Sequence, residues 1–397
     1  MSYKRLRKYS IIVAPILILG LITFFSMRNI PEVIYVNDSV EASDISLPKT
    51  SVFNKLKYTK DKLKVNFLGL IPLKSVAVQK INDLEVYPGG TSVGVRLSTE
   101  GVLVVGHSEI ETQEGKVESP AKNAGIELGD LILKVNGEEI QGSKDLSKKI
   151  RDIKAETVTM ELKRDEKIIS KEVILLKEEE EYKLGLWVRD STAGIGTLTF
   201  YHKETGSFGA LGHPITDGDT NKAFTIKKGE LLSSSVLSVR KGEKGVPGEL
   251  KGLFINDKIS IGSIKKNTTA GIFGETENPI VNDLYTKPIK IGFRNDIKEG
   301  PAKIITSIDE NGPKEYDIEI VKLLAQDAPG AKSMVIKVTD KELLEKTGGI
   351  VQGMSGSPII QNNKLVGAVT HVLINKPDVG YGIYIEWMLK DAGVLDQ

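Results

Sequence analysis

The sequence predicts a mainly β protein that is exported across a membrane. Three observations carry that reading. Short β-branched runs at 301–308, 316–324, 333–339 and 365–373 alternate with glycine-punctuated turns, the spacing of an all-β barrel or sandwich. Helix signals are sparse; the clearest is Thr339-Asp340-Lys-Glu342 with a stop at Gly348, a capping box and a glycine terminus. At the other end Lys4, Arg5, Arg7 and Lys8 precede an apolar run from Ile11 to Met27, the order of charge and apolarity found in export signals.

The bulk composition narrows the function classes. The chain has 397 residues, enough for two or three domains. Its 54 basic residues nearly cancel 53 acidic ones, so no basic footprint for nucleic acid exists. Cysteine is absent, which excludes a disulfide framework and thiolate metal sites. Histidine occurs only as His107, His202, His213 and His371, so the search for a catalytic base is short.

Taken in order, residues 1–28 read as a signal anchor. Seventeen helical residues span about 25 Å, a little short of a bilayer core. Bulky Phe24 stands where a cleavage site wants a small residue, which favours an uncleaved anchor. Residues 29–60 are polar and weakly patterned, the composition of a tether. Residues 61–90 read as a β segment, with Val65, Phe67, Leu68, Leu70 and Ile71 apolar and Pro88-Gly89-Gly90 as a break.

A unit at 91–178 follows. Gly101 to Val105 is a short buried strand, Ser119-Pro120 opens a short helix ending at Gly125, and Leu131 to Val135 enters an Asn136-Gly137 hairpin. Ser143 suits the cap of a helix carrying Leu146, Ile150 and Ile153 on one face. The run Ser119-Pro-Ala to Ala124-Gly-Ile-Glu-Leu-Gly-Asp130 and Val135-Asn-Gly-Glu-Glu-Ile140 resembles a bacterial, protease-associated PDZ domain. That resemblance implies peptide capture by strand addition, with the carboxylate loop near Val93, Gly94 and Val95. Lys177 to Glu181 reads as a solvated linker, and 182–397 as the final domain.

The chemistry concentrates in Gly353-Met354-Ser355-Gly356-Ser357-Pro358. A serine between glycines suits a tight turn that exposes one hydroxyl, and the N–H groups of Gly353 and Ser355 suit an oxyanion hole. The pattern resembles the nucleophile signature of chymotrypsin-like serine proteases, with Ser357 in place of its second glycine. A serine nucleophile needs a base and a group to orient that base. His213, in the bend Gly209-Ala-Leu-Gly-His-Pro-Ile, is the best base; His202 lies in a loop, and His371 falls on the strand after the serine. Spacing does not choose the acid among Asp217, Asp219 and Asp340, and Asp340 has an ordinary role available at a helix start.

Together, the anchor, the PDZ-like unit, the histidine bend and Thr347-Gly-Gly-Ile-Val-Gln-Gly-Met-Ser-Gly-Ser-Pro-Ile resemble the stage IV sporulation protein B (SpoIVB) peptidases. These are PDZ-containing, chymotrypsin-like serine proteases with a double β-barrel. The resemblance implies a catalytic histidine, aspartate and serine at His213, Asp340 and Ser355. It departs from the wider fold in placing the acid 15 residues before the serine. It further implies a substrate cleft walled by Thr370, His371 and Val372, with Gly349 at the pocket floor and no carboxylate there to select lysine or arginine. No metal or organic cofactor is implied.

The role implied is a sporulation signalling protease, exported across the inner forespore membrane and anchored there or released into the intermembrane space. It would cleave itself, within the exposed tether between 30 and 60, and a regulatory partner of an intramembrane metalloprotease, triggering late sigma-factor activation. A non-catalytic PDZ scaffold and a general envelope quality-control protease are the alternatives. The PDZ-first order argues against the second.

Overall fold

Two strands of sixteen residues, Ser92–His107 and Leu186–Tyr201, tie the molecule together. They pair antiparallel from Thr197↔Ser92 to Leu186↔His107. The computed structural model describes residues 30–395 except 39, 42–44, 46–53, 60, 61, 68–70, 83, 114, 325 and 327, and isolated positions between 13 and 24.

The outer halves of the two long strands belong to a β-barrel. From Ser92–Ser98 the hydrogen-bonded order runs through Lys228–Arg240, Ser260–Thr268, Gly271–Glu275 and Ser207–Ala210 to Leu186–Tyr201, and so back to the start. Val93, Val95, Leu97, Phe208, Leu231 and Ile272 fill its interior. The inner halves enter a different sheet. Val102 and Leu103 pair with Leu131–Val135, which pairs with Thr157–Arg164 and then Lys167–Ile174. Helices Pro120–Asn123 and Ser143–Asp152 accompany this sheet over a core of Val102, Ile132, Leu146, Ile150 and Met160.

The small α+β lobe is therefore an insertion between two strands of a barrel. The boundaries expected at 91 and 182 both fall inside or beside barrel strands. Hydrophobic alternation reveals a strand but not its partner. Two local expectations change with it. Lys177 to Glu181 is no linker, since Leu176–Glu178 and Glu181–Lys183 form a tight hairpin with Glu179 at φ 56°. Ser143 is the first helical residue rather than the cap; its N and Oγ donate to Asp190 at 2.7 and 2.8 Å. Ser119 does cap its helix, its Oγ accepting from Lys122 N.

A second, closed barrel is made by Gly300–Ser307, Pro313–Leu323, Met334–Val338, Lys376–Tyr384, Lys364–Leu373 and Pro358–Gln361. Its strands obey the period of two: Tyr316, Ile318 and Ile320 are buried, while Asp317 and Glu319 are exposed. The helix Ile385–Asp391 closes one side, burying Trp387, Met388 and Leu389. Glu386 is fully buried on that helix, ion-paired with Arg294, whose guanidinium lies 4.7 Å from the Trp387 ring. Burial pushes the Glu386 carboxyl above its ordinary range, with Arg294 opposing.

The residues expected to form a tether include ordered strands. Val33–Asn37 joins a four-stranded sheet with Ile71–Ile81, Lys62–Phe67 and Asn54–Thr59. Tyr35 stacks on Phe293 with centroids 6.2 Å apart, and Asn37 Nδ2 donates to Asp296 at 2.9 Å, docking this sheet on the second barrel. Within the expected self-cleavage region, 46–53 lies outside the described residues, as does most of the expected anchor at 1–28. Among the described residues no helix is long and apolar enough to cross a membrane.

Candidate active site

The segment after helix Lys341–Thr347 turns back between the two barrels before Pro358–Gln361. Gly356 N donates to Val369 O at 2.7 Å in the second barrel. From the first barrel, Thr197 Oγ1 donates to Gly353 O and Thr199 Oγ1 to Gly356 O, both at 2.8 Å, and Thr197 N to Ser355 O at 3.0 Å. The loop is held from both sides, so its shape depends on both barrels.

Gly353 and Gly356 sit at φ 97° and 96°, where a side chain is strained, and a Cβ on Gly356 would come within 2.0 Å of Thr197 O. The carbonyl of Gln352 accepts from Leu250 N at 2.8 Å, and that of Met354 from Ser357 N at 3.0 Å. In a trans peptide the C=O and N–H point opposite ways. The N–H groups of Gly353 and Ser355 therefore turn away from these partners, and neither has an acceptor among the described residues. Both residues line one cleft of about 730 Å³. Two convergent, unspent N–H groups are what an oxyanion requires.

His213 lines the same cleft, half-buried beyond Leu211, which carries an unusual φ of 68°. Its Nδ1 lies 2.9 Å from Pro214 O. A carbonyl only accepts, so Nδ1 carries the proton and Nε2 is free to act as a base. Burial holds the imidazole below its ordinary pKa, with the Pro214 carbonyl opposing. Asn267 fixes the chain beyond it: Oδ1 accepts from Ile215 N at 2.8 Å, and Nδ2 donates to Ile215 O at 2.8 Å and Phe224 O at 3.0 Å.

Ser355 Oγ donates to Thr370 O at 2.8 Å, and among the described residues no hydrogen bond joins it to His213. Both side chains line the one cleft. His371 faces His213 with ring centroids 5.1 Å apart. Desolvation, then His213 and Lys332, push its pKa down to about 4. Thr370, His371 and Val372 all line the cleft. His107 and His202 bond to Ile126 O and Thr205 Oγ1 at 2.9 Å, away from it.

Three expected positions differ. Asp340 is outside the cleft lining: its Oδ1 caps the helix, accepting from Leu343 N at 2.9 Å, and its Oδ2 accepts from Asp317 N at 3.4 Å. The structure does not bring it to His213. Asp217 and Asp219 are no substitutes, since both pair with Arg189 and Asp217 also accepts from Thr220 N at 2.9 Å. Gly349 is buried under Pro377, its carbonyl accepting from Thr347 Oγ1, and Ile350 and Val351 line the cleft instead. Val93, Gly94 and Val95 cannot receive a peptide by strand addition. One of their edges is bonded to Gly194–Gly196 and the other to Leu231–Ser233.

The Asp340 geometry makes a sharp prediction. Asp340→Asn keeps a cap oxygen and is expected to leave kcat/KM within about threefold, because Asn caps as well as Asp. Asp340→Ala should lose about 1 kcal/mol of stability with the cap. A triad carboxylate changed to Asn would instead cost about 10⁴-fold in kcat. Kinetics and melting curves of the two variants separate the roles.

The model of the SpoIVB peptidase S55 family matches residues 180–389, just over half of the chain, spanning the histidine bend and the serine loop. The chain belongs to the SpoIVB peptidase S55 family. A PDZ domain model matches residues 93–175. The family assignment makes the chain a PDZ-containing serine endopeptidase. Among solved structures it is similar to the PDZ domain of an SdrC-like protein from Listeria monocytogenes, at 20% identity over 23% of this chain and 90% of that one, TM-score 0.19. It is also similar to the active form of the Rv3671c protease from M. tuberculosis, at 11% identity over 51% of this chain and 75% of that one, TM-score 0.28. A mutant of human heparin binding protein matches at 11% identity over 51% of this chain and 86% of that one, TM-score 0.26.

In this S55 peptidase the sequence did not reveal Thr197, Thr199 or Asn267. Each acts through contacts to distant chain. The span between Thr197 and Gly353 is 156 residues, and nothing local marks a threonine for that duty.

Proposed function

We propose that this endopeptidase works through a Ser355–His213 pair oriented by the Pro214 carbonyl, and that it serves regulated proteolysis in spore formation. The observation that carries the catalytic part is the convergence of Ser355, His213 and the two unspent N–H groups on one cleft. Ser355 Oγ attacks the scissile carbonyl as His213 Nε2 takes its proton, and the Gly353 and Ser355 N–H groups hold the oxyanion. Collapse of the intermediate passes that proton to the leaving amine, and water then releases the acyl group by the same route in reverse. The Pro214 carbonyl holds the tautomer, the part a carboxylate plays in a triad.

The cleft suits apolar side chains. Ile350, Val351, Val372 and Ile374 contribute to it, and no carboxylate does. Peptides with an apolar residue before the scissile bond are expected to be cleaved about a hundredfold faster than those with arginine, since an unpaired charge is costly to bury. Equal rates for the two would remove this view of the pocket.

The sporulation role, anchoring to the inner forespore membrane, self-cleavage and a regulatory protein substrate in the intermembrane space rest on family membership and on the basic-then-apolar amino terminus. Protein partners are supported more directly, by the PDZ lobe. A cavity of about 240 Å³ is lined by helix Ser143–Asp152 and the segment Lys183–Val188, Leu184-Gly185-Leu186 among them. The test is fluorophosphonate labelling followed by peptide mapping, alongside intact mass measured over time. Labelling on Ser355 and serine-dependent trimming before residue 60 support the reading; a folded, unlabelled and untrimmed protein overturns it.

A further inference from the structure

The strand Glu249–Phe254 is bonded to Lys228–Arg240 along one edge. Along its other edge, Leu250 N donates to Gln352 O and Gln352 N to Gly248 O, at 2.8 and 3.0 Å. Beyond Leu250 no strand pairs with that edge among the described residues. Backbone groups in an antiparallel pair point alternately to the two sides. Ile255 N donates inward to Ser233 O, so Gly252 and Phe254 present their N–H and C=O outward together with Leu250.

That open edge faces a groove of about 570 Å³. The groove shares Ala193, Gly194, Ile195, Gln352 and Gly353 with the catalytic cleft, so the two are continuous past the oxyanion donor Gly353. An exposed strand edge is ordinarily covered or blunted, and Lys251 is the only charge that blunts this one beyond Leu250. Thr370, His371 and Val372 wall the cleft beside the Ser355 hydroxyl. With the acyl portion on the Thr370–Val372 wall, the way out past Gly353 is the one left for chain beyond the scissile bond.

We infer that the polypeptide on the leaving-group side of the scissile bond binds as an added strand on the Gly252–Phe254 edge. This rests on the peptidase reading above and deepens it. It makes the enzyme selective for extended, unfolded chain that continues for several residues past the cut, and makes backbone hydrogen bonds, not side chains, the recognition there.

The test uses the full chain and two substrate series sharing one acyl portion. One ends in a small chromogenic leaving group, and the other adds one to five residues after the scissile bond. Each added backbone bond is worth roughly a two- to tenfold gain, so kcat/KM should rise by about tenfold or more as the series lengthens. N-methylation of alternate leaving-side amides should remove that gain. Cleavage of short and long substrates at equal kcat/KM, or indifference to N-methylation, overturns the inference and leaves the peptidase reading intact. Absence of both cleavage and Ser355 labelling overturns both.

Discussion

Replacing Ser355 with alanine is expected to lower kcat by about 10⁵- to 10⁶-fold, the scale seen when a serine nucleophile is removed. KM should stay nearly unchanged. The cleft walls that hold substrate, from Ile350 to Val372, do not depend on this hydroxyl. The one bond that Oγ makes is to Thr370 O, and losing it costs about 1 kcal/mol, so the variant should fold. The residual rate should still exceed that of the uncatalysed reaction, because the Gly353 and Ser355 N–H groups survive the substitution and bind the oxyanion without a nucleophile. Single-turnover kinetics on a melted-and-matched pair of proteins is the measurement. A variant retaining more than about one per cent of the wild-type rate would place the nucleophile elsewhere.

His213→Ala should cost about as much in kcat, since base and nucleophile act as a unit. The wild-type pH profile adds what the substitution cannot. His213 must be neutral to accept the serine proton, and burial depresses its pKa. Activity is therefore present above the folded-state value and lost as pH falls through it. The acidic limb of kcat/KM should lie below the ordinary histidine value of about 6.5. His371, held near a pKa of about 4, stays neutral over most of that range. A second consequence follows by linkage. Both rings bind protons more readily in the unfolded chain, so stability is fully present above about pH 6.5 and declines as pH falls toward the folded values. A limb above pH 7, or stability that is flat between 7 and 5, would contradict the burial of these rings.

The extent to which the sequence anticipates the site follows the length scale of each cause. Ser355 and Gly353 are legible because the turn is local: glycine freedom and the exposed hydroxyl are encoded within six residues. His213 is legible for a similar reason, in a glycine bend after an apolar strand. Asp340 is legible as a residue with an ordinary role at a helix start, and the structure makes it the cap; its assignment as the acid rests on resemblance alone. The Pro214 carbonyl that orients His213 is a backbone group. Every residue supplies one, so composition cannot single it out.

The long-range features behave differently. Val93, Gly94 and Val95 read by resemblance as a PDZ carboxylate loop, yet the alternation of Val93, Val95 and Leu97 equally suits a barrel strand. Only the pairing with Gly194–Gly196 and Leu231–Ser233 decides between them. The sequence by itself determined the strand content, the helix starts at Ser119-Pro120 and Thr339-Asp340, the serine turn and the histidine bend, because each depends on neighbours within a turn or a strand. Tertiary structure alone decided that the PDZ lobe interrupts a barrel, that Thr197 and Thr199 hold the serine loop, and that the Glu249–Phe254 edge opens on the cleft. Those depend on which distant segments share hydrogen bonds, and backbone hydrogen bonding is the same for every sequence that can form a strand.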